Sequence, residues 1–149
     1  MANRIILLDT TPLGLATHPN PSATAIACRQ WLRSHIARGS RVIVPEIADY
    51  ELRRELLRAN RRRGLSHLDR LIQQIEYLPL TTKAMRQAAQ FWAQARQQGQ
   101  PTAGDTTLDG DVILAAQAIT LNESNVIVAT ANVKHIARFV PADLWQNIS

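Results

Sequence analysis

Residues 4–11, Arg-Ile-Ile-Leu-Leu-Asp-Thr-Thr, set a short apolar run directly against a carboxylate, Asp9. A run of this length with no polar alternation reads as a strand buried on both faces. The same pattern returns twice. Arg41 to Val44 is a β-branched run that stops at Pro45, and Asn125 to Ala129 runs into Thr130-Ala131-Asn132. Between these strands lie longer segments with helical spacing. Strands alternating with helices predict an α/β fold, a short parallel sheet of about four strands flanked by helices. In such sheets ligands bind just past the carboxyl ends of the strands.

Working outward, Thr10-Thr11-Pro12 and Gly14 read as a turn, closed by Pro19 and Pro21. Ser22 can cap a helix carrying Ala25, Cys28, Leu32 and Ile36, which Gly39 stops. A helix from Pro45 through Arg58 frays at Arg61-Arg62-Arg63-Gly64, and Ser66 begins another with Leu68, Leu71, Ile72 and Ile75. Tyr77 to Leu80 reads as a weak strand whose proline marks either an edge position or the strand's end. Thr81 or Thr82 caps a long helix with Met85, Ala88, Ala89, Trp92 and Ala95 inside. Residues 99–108 read as a polar loop. Asp109 or Asp111 then starts a helix with the stripe Val112, Ala115, Ala116 and Ile119. Phe139, Leu144, Trp145 and Ile148 are expected to pack back on the core, as are Trp31 and Trp92.

With 149 residues the chain is expected to form a single domain, 1–149, and its 46% hydrophobic content is enough for a real core. The single cysteine, Cys28, excludes an internal disulfide and a cysteine-based zinc site. The run Ile5–Leu8 falls short of the roughly 7–15 apolar residues of a signal peptide and the roughly 20 of a membrane helix, so a cytoplasmic protein with no membrane association is expected. Basic residues outnumber acidic ones 17 to 12, and fifteen of them are arginine. Arg53, Arg54, Arg58, Arg61, Arg62 and Arg63 fall within eleven residues, opposed only by Glu55. This is either a solvated helix face or a footprint for a polyanion.

The acids gather where the fold rule says to look. Asp9 follows the first strand; Glu46, Asp49, Glu51 and Glu55 lie on the helix after the second; Asp105, Asp109 and Asp111 precede or open the helix leading to the last. Two carboxylates about 4 Å apart repel by about 4 kcal/mol at an effective dielectric of about 20. A site of three therefore needs a cation or shifted pKa values. Oxygen-only ligation favours Mg²⁺ or Mn²⁺ over zinc. A carboxylate-held metal beside basic surface suits phosphodiester hydrolysis. Glu46 and Asp49 read as first-turn acids matched to the helix dipole, and Asp105 as a loop residue. His35 and His67 read as bystanders.

At these residues the chain resembles the PIN-domain ribonucleases, specifically the VapC-type toxins of bacterial toxin–antitoxin pairs. Leu7-Leu8-Asp9-Thr10-Thr11 is similar to their first motif, and Ile47-Ala48-Asp49-Tyr50-Glu51-Leu52 to their second. Asp109-Gly110-Asp111-Val112-Ile113-Leu114-Ala115-Ala116-Gln117-Ala118 resembles the third, and Val126 to Asn132 the fourth. The motifs occur in the family's order over nearly the whole chain. The resemblance implies a PIN-like fold and a Mg²⁺- or Mn²⁺-dependent endoribonuclease with Asp9, Glu51 and Asp111 as metal-holding catalytic acids. It adds Asp109 as an acid some relatives carry and Thr130 as the hydroxyl that holds Asp9 or a metal-bound water. It further implies RNA as substrate, a cognate antitoxin as partner and a homodimer; the Arg53–Arg63 cluster is then expected, from its charge, to bind that RNA. On the helix itself Glu51 and Glu55 are one turn apart, and either could face the site. The family's frequent fourth acid after the last strand is missing; Asn132 and His135 stand there.

That departure motivates a second reading, a catalytically inactive PIN-fold module that binds RNA or protein. Phosphotransfer folds fit less well. A haloacid-dehalogenase-type phosphatase would want a second Asp two residues after Asp9, where Thr11 stands, and a receiver domain would want an Asp after Tyr77–Leu80.

Overall fold

The computed structural model describes residues 4–99 and 105–149, with side chains from residue 108 onward in the second stretch. Five strands form one parallel sheet in the order β3-β2-β1-β4-β5. They are β1 (Ile5–Leu8), β2 (Arg41–Pro45), β3 (Glu76–Leu78), β4 (Val126–Ala129) and β5 (Ala142–Asp143). The helices are α1 (Thr10–Thr17), α2 (Ala23–Ala37), α3 (Glu46–Arg58), α4 (Arg62–Gln74), α5 (Thr82–Gln97), α6 (Asp105–Thr120) and α7 (Val133–Ile136). The α/β architecture expected from the strand pattern is thus present, with β5 as an added strand. Among the described residues no helix is long and apolar enough to cross a membrane.

β1 sits at the centre and all four of its side chains are buried. Its pleat divides the core. Ile5 and Leu7 face Ala88, Phe91, Val112, Ala115 and Val128, the α5–α6 side. Ile6 and Leu8 face Leu13, Leu32, Ala48 and Leu68, the α1–α4 side. Strands with both faces covered need no polar alternation, which is why their sequences are apolar throughout.

The segment after Asp9 is not a turn. It is α1, capped by the Asp9 side chain, which accepts from Thr10 N at 2.7 Å. Pro12 falls in the first turn, where its missing N–H leaves no bond unmade. α4 begins at Arg62, ahead of Ser66, and Gly64 lies inside it. A Cβ on Gly64 would meet Leu56 Cδ2 at 2.9 Å, so glycine there lets α4 pack closely on α3. The 99–108 loop is shorter than expected: Asp105 already belongs to α6, while residues 100–104 lie outside the described part. Of the side chains expected in the core, Ile36, Met85, Ile119 and Leu144 are 39–45% exposed, and Ala89 is exposed as well. On α2 the buried place is taken by His35, whose Nε2 lies 3.1 Å from Ile148 O and ties the C-terminal segment down.

Candidate active site

β1 pairs with β2 on one side and β4 on the other, so connections leave it in opposite directions and open a crevice past the strand ends. Asp9 follows β1 and Thr130 follows β4. The Thr130 hydroxyl donates to Asp9 Oδ2 at 2.7 Å and accepts from Asn132 N at 2.9 Å. Asp9 Oδ1 is held by Thr10 N. Both carboxylate oxygens are therefore fixed from known directions by strand ends the sheet register holds in place.

Glu51 enters from α3. Its Oε1 accepts from the Thr10 hydroxyl at 3.2 Å, and Arg54 Nη2 lies 3.9 Å from Oε2. A Cβ built on Gly110 would stand 2.6 Å from that Oε2, so glycine on α6 makes the room that the Glu51 carboxylate fills. Asp111 is buried on the same helix, one residue on. Among the described residues its Oδ2 makes no hydrogen bond, and His135 Nδ1 approaches it to 3.4 Å. Asp9, Thr10, Thr11, Glu51, Arg54, Glu55, Asp111 and Asn132 line a cleft of about 280 Å³.

Burial, and next the charge of Asp9, raises the carboxyl of Asp111 above the ordinary carboxylate range, against the pull of His135 and Arg138. Glu51 is raised by burial first, then by Asp9 and Asp111, against the Thr10 hydrogen bond and Arg54. Both shifts have the sign of negative charge crowded out of water. Among the described residues, no three Asp, Glu, His or Cys side chains meet as a ready-made metal cluster. The carboxylates ring the cleft without converging. The donor set is nonetheless all oxygen and hard, and the orphaned buried Asp111 Oδ2 is an acceptor a cation would satisfy. The residues fit a divalent metal.

The other expected positions separate. Asp109 is exposed and lines an apolar hollow with Met85, Ala88, Trp92 and Ile113. It is about 200° around the helix from Asp111, so the two cannot share the cleft. Glu55 reaches the rim, but Arg58 Nη2 holds it at 2.8 Å. Glu46 Oε1 accepts from Leu80 N at 2.6 Å and Asp49 Oδ2 from the Tyr77 hydroxyl at 2.8 Å, so both fasten α3 to the β3 strand and its exit. The arginine cluster divides. Arg53 bridges Asp49 and Asp69 at 3.0 and 2.8 Å, and Arg54 turns into the cleft. Arg61, Arg62 and Arg63 stand exposed at the start of α4.

Gln117 has no role that the sequence motifs suggest. It is 1% exposed; its Oε1 accepts from Ile47 N at 3.2 Å and its Nε2 donates to Leu78 O at 2.9 Å. It pins the first turn of α3 to α6, and with it the placement of Glu51 across from Asp111. Its signal was a single amide inside the apolar run 112–119.

Solved structures share this architecture. VapBC2 from Rickettsia felis, bound to a DNA fragment from its promoter, matches with TM-score 0.71 and 19% identity, over 95% of this chain and 98% of that one. VapBC-1 from nontypeable Haemophilus influenzae matches with TM-score 0.70 and 18% identity, over 96% and 99%. DNA-bound VapBC from Salmonella typhimurium matches with TM-score 0.69 and 21% identity, over 95% and 98%. No curated protein matches the chain. The PIN domain family profile matches residues 6–138, a span that holds every cleft residue, and the chain belongs to the PIN-domain family.

Proposed function

We propose that this protein is a metal-dependent endoribonuclease, the toxin of a VapBC-type toxin–antitoxin pair. The observation that carries the reading is the buried Asp111 Oδ2, which makes no hydrogen bond among the described residues and has His135 Nδ1 at 3.4 Å, facing a cleft shared with Asp9 and Glu51. Asp9, Asp111 and Glu51 would hold Mg²⁺ or Mn²⁺. Such an ion supplies an activated water and charge stabilisation for phosphodiester hydrolysis. The chain's own residues do the positioning. Thr130 and Thr10 orient Asp9, Gly110 admits Glu51, and Arg54 at the rim offers a cation to an incoming phosphate. Exposed Arg61, Arg62 and Arg63 extend that basic surface as an RNA-binding face. The fold's likeness to toxin–antitoxin complexes supports a cognate antitoxin, the family resemblance supports a homodimer, and the short N-terminal apolar run supports the cytoplasm.

The test is cleavage of single-stranded RNA by purified protein with added Mg²⁺ or Mn²⁺. Wild type should cut, EDTA should stop it, and Asp9→Asn and Asp111→Asn should be inactive while folded. Full activity in either variant overturns the site. RNA binding without cleavage at any metal concentration favours the inactive module, the reading that Asn132 and His135 motivate at the place of the missing acid.

A further inference from the structure

We propose that His135 is a ligand of this site's cation, an imidazole standing where the family often has a fourth acid, and that it biases the site toward Mn²⁺ over Mg²⁺. The inference rests on the metal-site reading above. α7 starts directly after the β4 exit that carries Thr130, which brings His135 beside Asp111, a residue of the cleft lining. The imidazole Nδ1 lies 3.4 Å from Asp111 Oδ2, an acceptor that makes no hydrogen bond among the described residues. Two donors each about 2.1 Å from one ion, at right angles, stand about 3 Å apart. The observed spacing needs only slight closure to place both on one cation. The His135 side chain is 32% exposed, open enough to exchange solvent for metal.

The chemistry gives the substitution a consequence. Mg²⁺ is bound almost wholly through oxygen, whereas imidazole suits the later first-row metals, with Mn²⁺ between the two classes. A neutral ring in place of a fourth carboxylate also lowers the negative charge that Asp9, Glu51 and Asp111 already crowd into the cleft. The site keeps a fourth donor without a fourth repulsion.

The experiment uses the intact protein loaded with Mn²⁺ and read by pulsed electron paramagnetic resonance for ¹⁴N coupling, beside calorimetric titration of Mn²⁺ and Mg²⁺. Wild type should show ¹⁴N modulation that His135→Asp and His135→Ala lack. His135→Ala should weaken Mn²⁺ at least about tenfold and Mg²⁺ much less, and His135→Asp should move the preference toward Mg²⁺. Mn²⁺ bound at the site, and lost on Asp111→Asn, but without ¹⁴N coupling overturns the proposal and leaves the metal-site reading standing. No Mn²⁺ binding by wild type overturns both.

Discussion

Gly110 and Glu51 share one volume: a methyl group on Gly110 would lie 2.6 Å from Glu51 Oε2. The conflict involves the far end of a flexible side chain, so Gly110→Ala should be relieved by moving the carboxylate rather than the helix. Alanine within a helix is otherwise favoured over glycine by about 1 kcal/mol. The variant should keep or slightly raise its melting temperature while losing about tenfold to a hundredfold in RNA cleavage, the scale for a misplaced active-site group. Thermal melts and cleavage rates on one preparation check this. Unchanged activity would show that the placement of Glu51 does not matter.

The raised carboxyls of Asp111 and Glu51 give the metal-free protein a defined pH dependence. Between the ordinary carboxylate pKa of about 4 and the raised values, the folded state holds protons that the unfolded chain has released. These groups therefore cost least below that window, and stability falls as pH climbs through it. Asp111→Asn removes one of them. Its melting temperature should gain on wild type as pH rises from about 4 to 7 in EDTA, and Mn²⁺ should stabilise only the wild type. A difference independent of pH would contradict the crowding.

Thr130 is 1% exposed and serves two partners, Asp9 Oδ2 and Asn132 N. Thr130→Val keeps the shape and removes the hydroxyl. Losing a buried hydrogen bond to a carboxylate costs about 1.5–3 kcal/mol. Chemical denaturation should show that loss together with reduced cleavage, and Thr130→Ser should recover both.

How much of this could be read from residues alone depends on how local the physics is. The β1 run and the Asp9 that ends it were legible because burial on both faces erases polar alternation. α1 was not, because Thr-Thr-Pro-Leu-Gly has turn composition; Asp9 capping and the tolerance of a first turn for Pro12 overrule it. β5 has two residues and is held by pairing with Val128 and Ala129, so it leaves no periodicity to detect. Strand-end placement together with family resemblance singles out Asp9 and Asp111, resemblance alone selects Glu51 over Glu55, and the fold lines one cleft with all of them. Asp109 is implied by the resemblance, as an acid some relatives carry, whereas the helix turns it to the far side. Of the two partners of Arg53, Asp49 stands at i,i+4 spacing on the same helix and is legible in the sequence, whereas Asp69 lies on a different helix, a contact only the packing of α3 on α4 creates.

That division of the arginines sharpens the RNA-binding prediction. Arg53 and Arg58 are engaged by Asp49, Asp69 and Glu55, which leaves Arg61, Arg62 and Arg63 as the exposed run. If these three touch phosphates of single-stranded RNA, they contribute a slope of about −2 to log affinity against log salt. Replacing all three with Gln should flatten the slope by about that amount, while Arg53→Gln should change it little and lower stability instead. Binding titrations across a salt series, made with the Asp111→Asn protein so that RNA stays intact, decide between them. An equal slope in the triple variant would make the run a solvated face.

The antitoxin prediction follows from the charge of the cleft. Three carboxylates on a protein of net charge +5 form an acidic pocket within basic surroundings. A flexible antitoxin tail can place an Arg or Lys against Asp9, Glu51 and Asp111, standing in for the metal's charge, while its acidic residues cover Arg54 and the run at Arg61 to Arg63. A desolvated charge pair of this kind can be worth several kcal/mol in an interface, mostly in the off-rate. A disordered tail spends ordering entropy to wrap such a surface. Expression of the wild type alone should therefore slow growth, Asp9→Asn should not, and co-expression with the product of an adjacent small reading frame should restore growth. Charge reversal of the basic residue in that partner's tail should abolish the rescue. Equal growth in every arm, with wild-type protein soluble and abundant, would remove the toxin reading and leave the binding module.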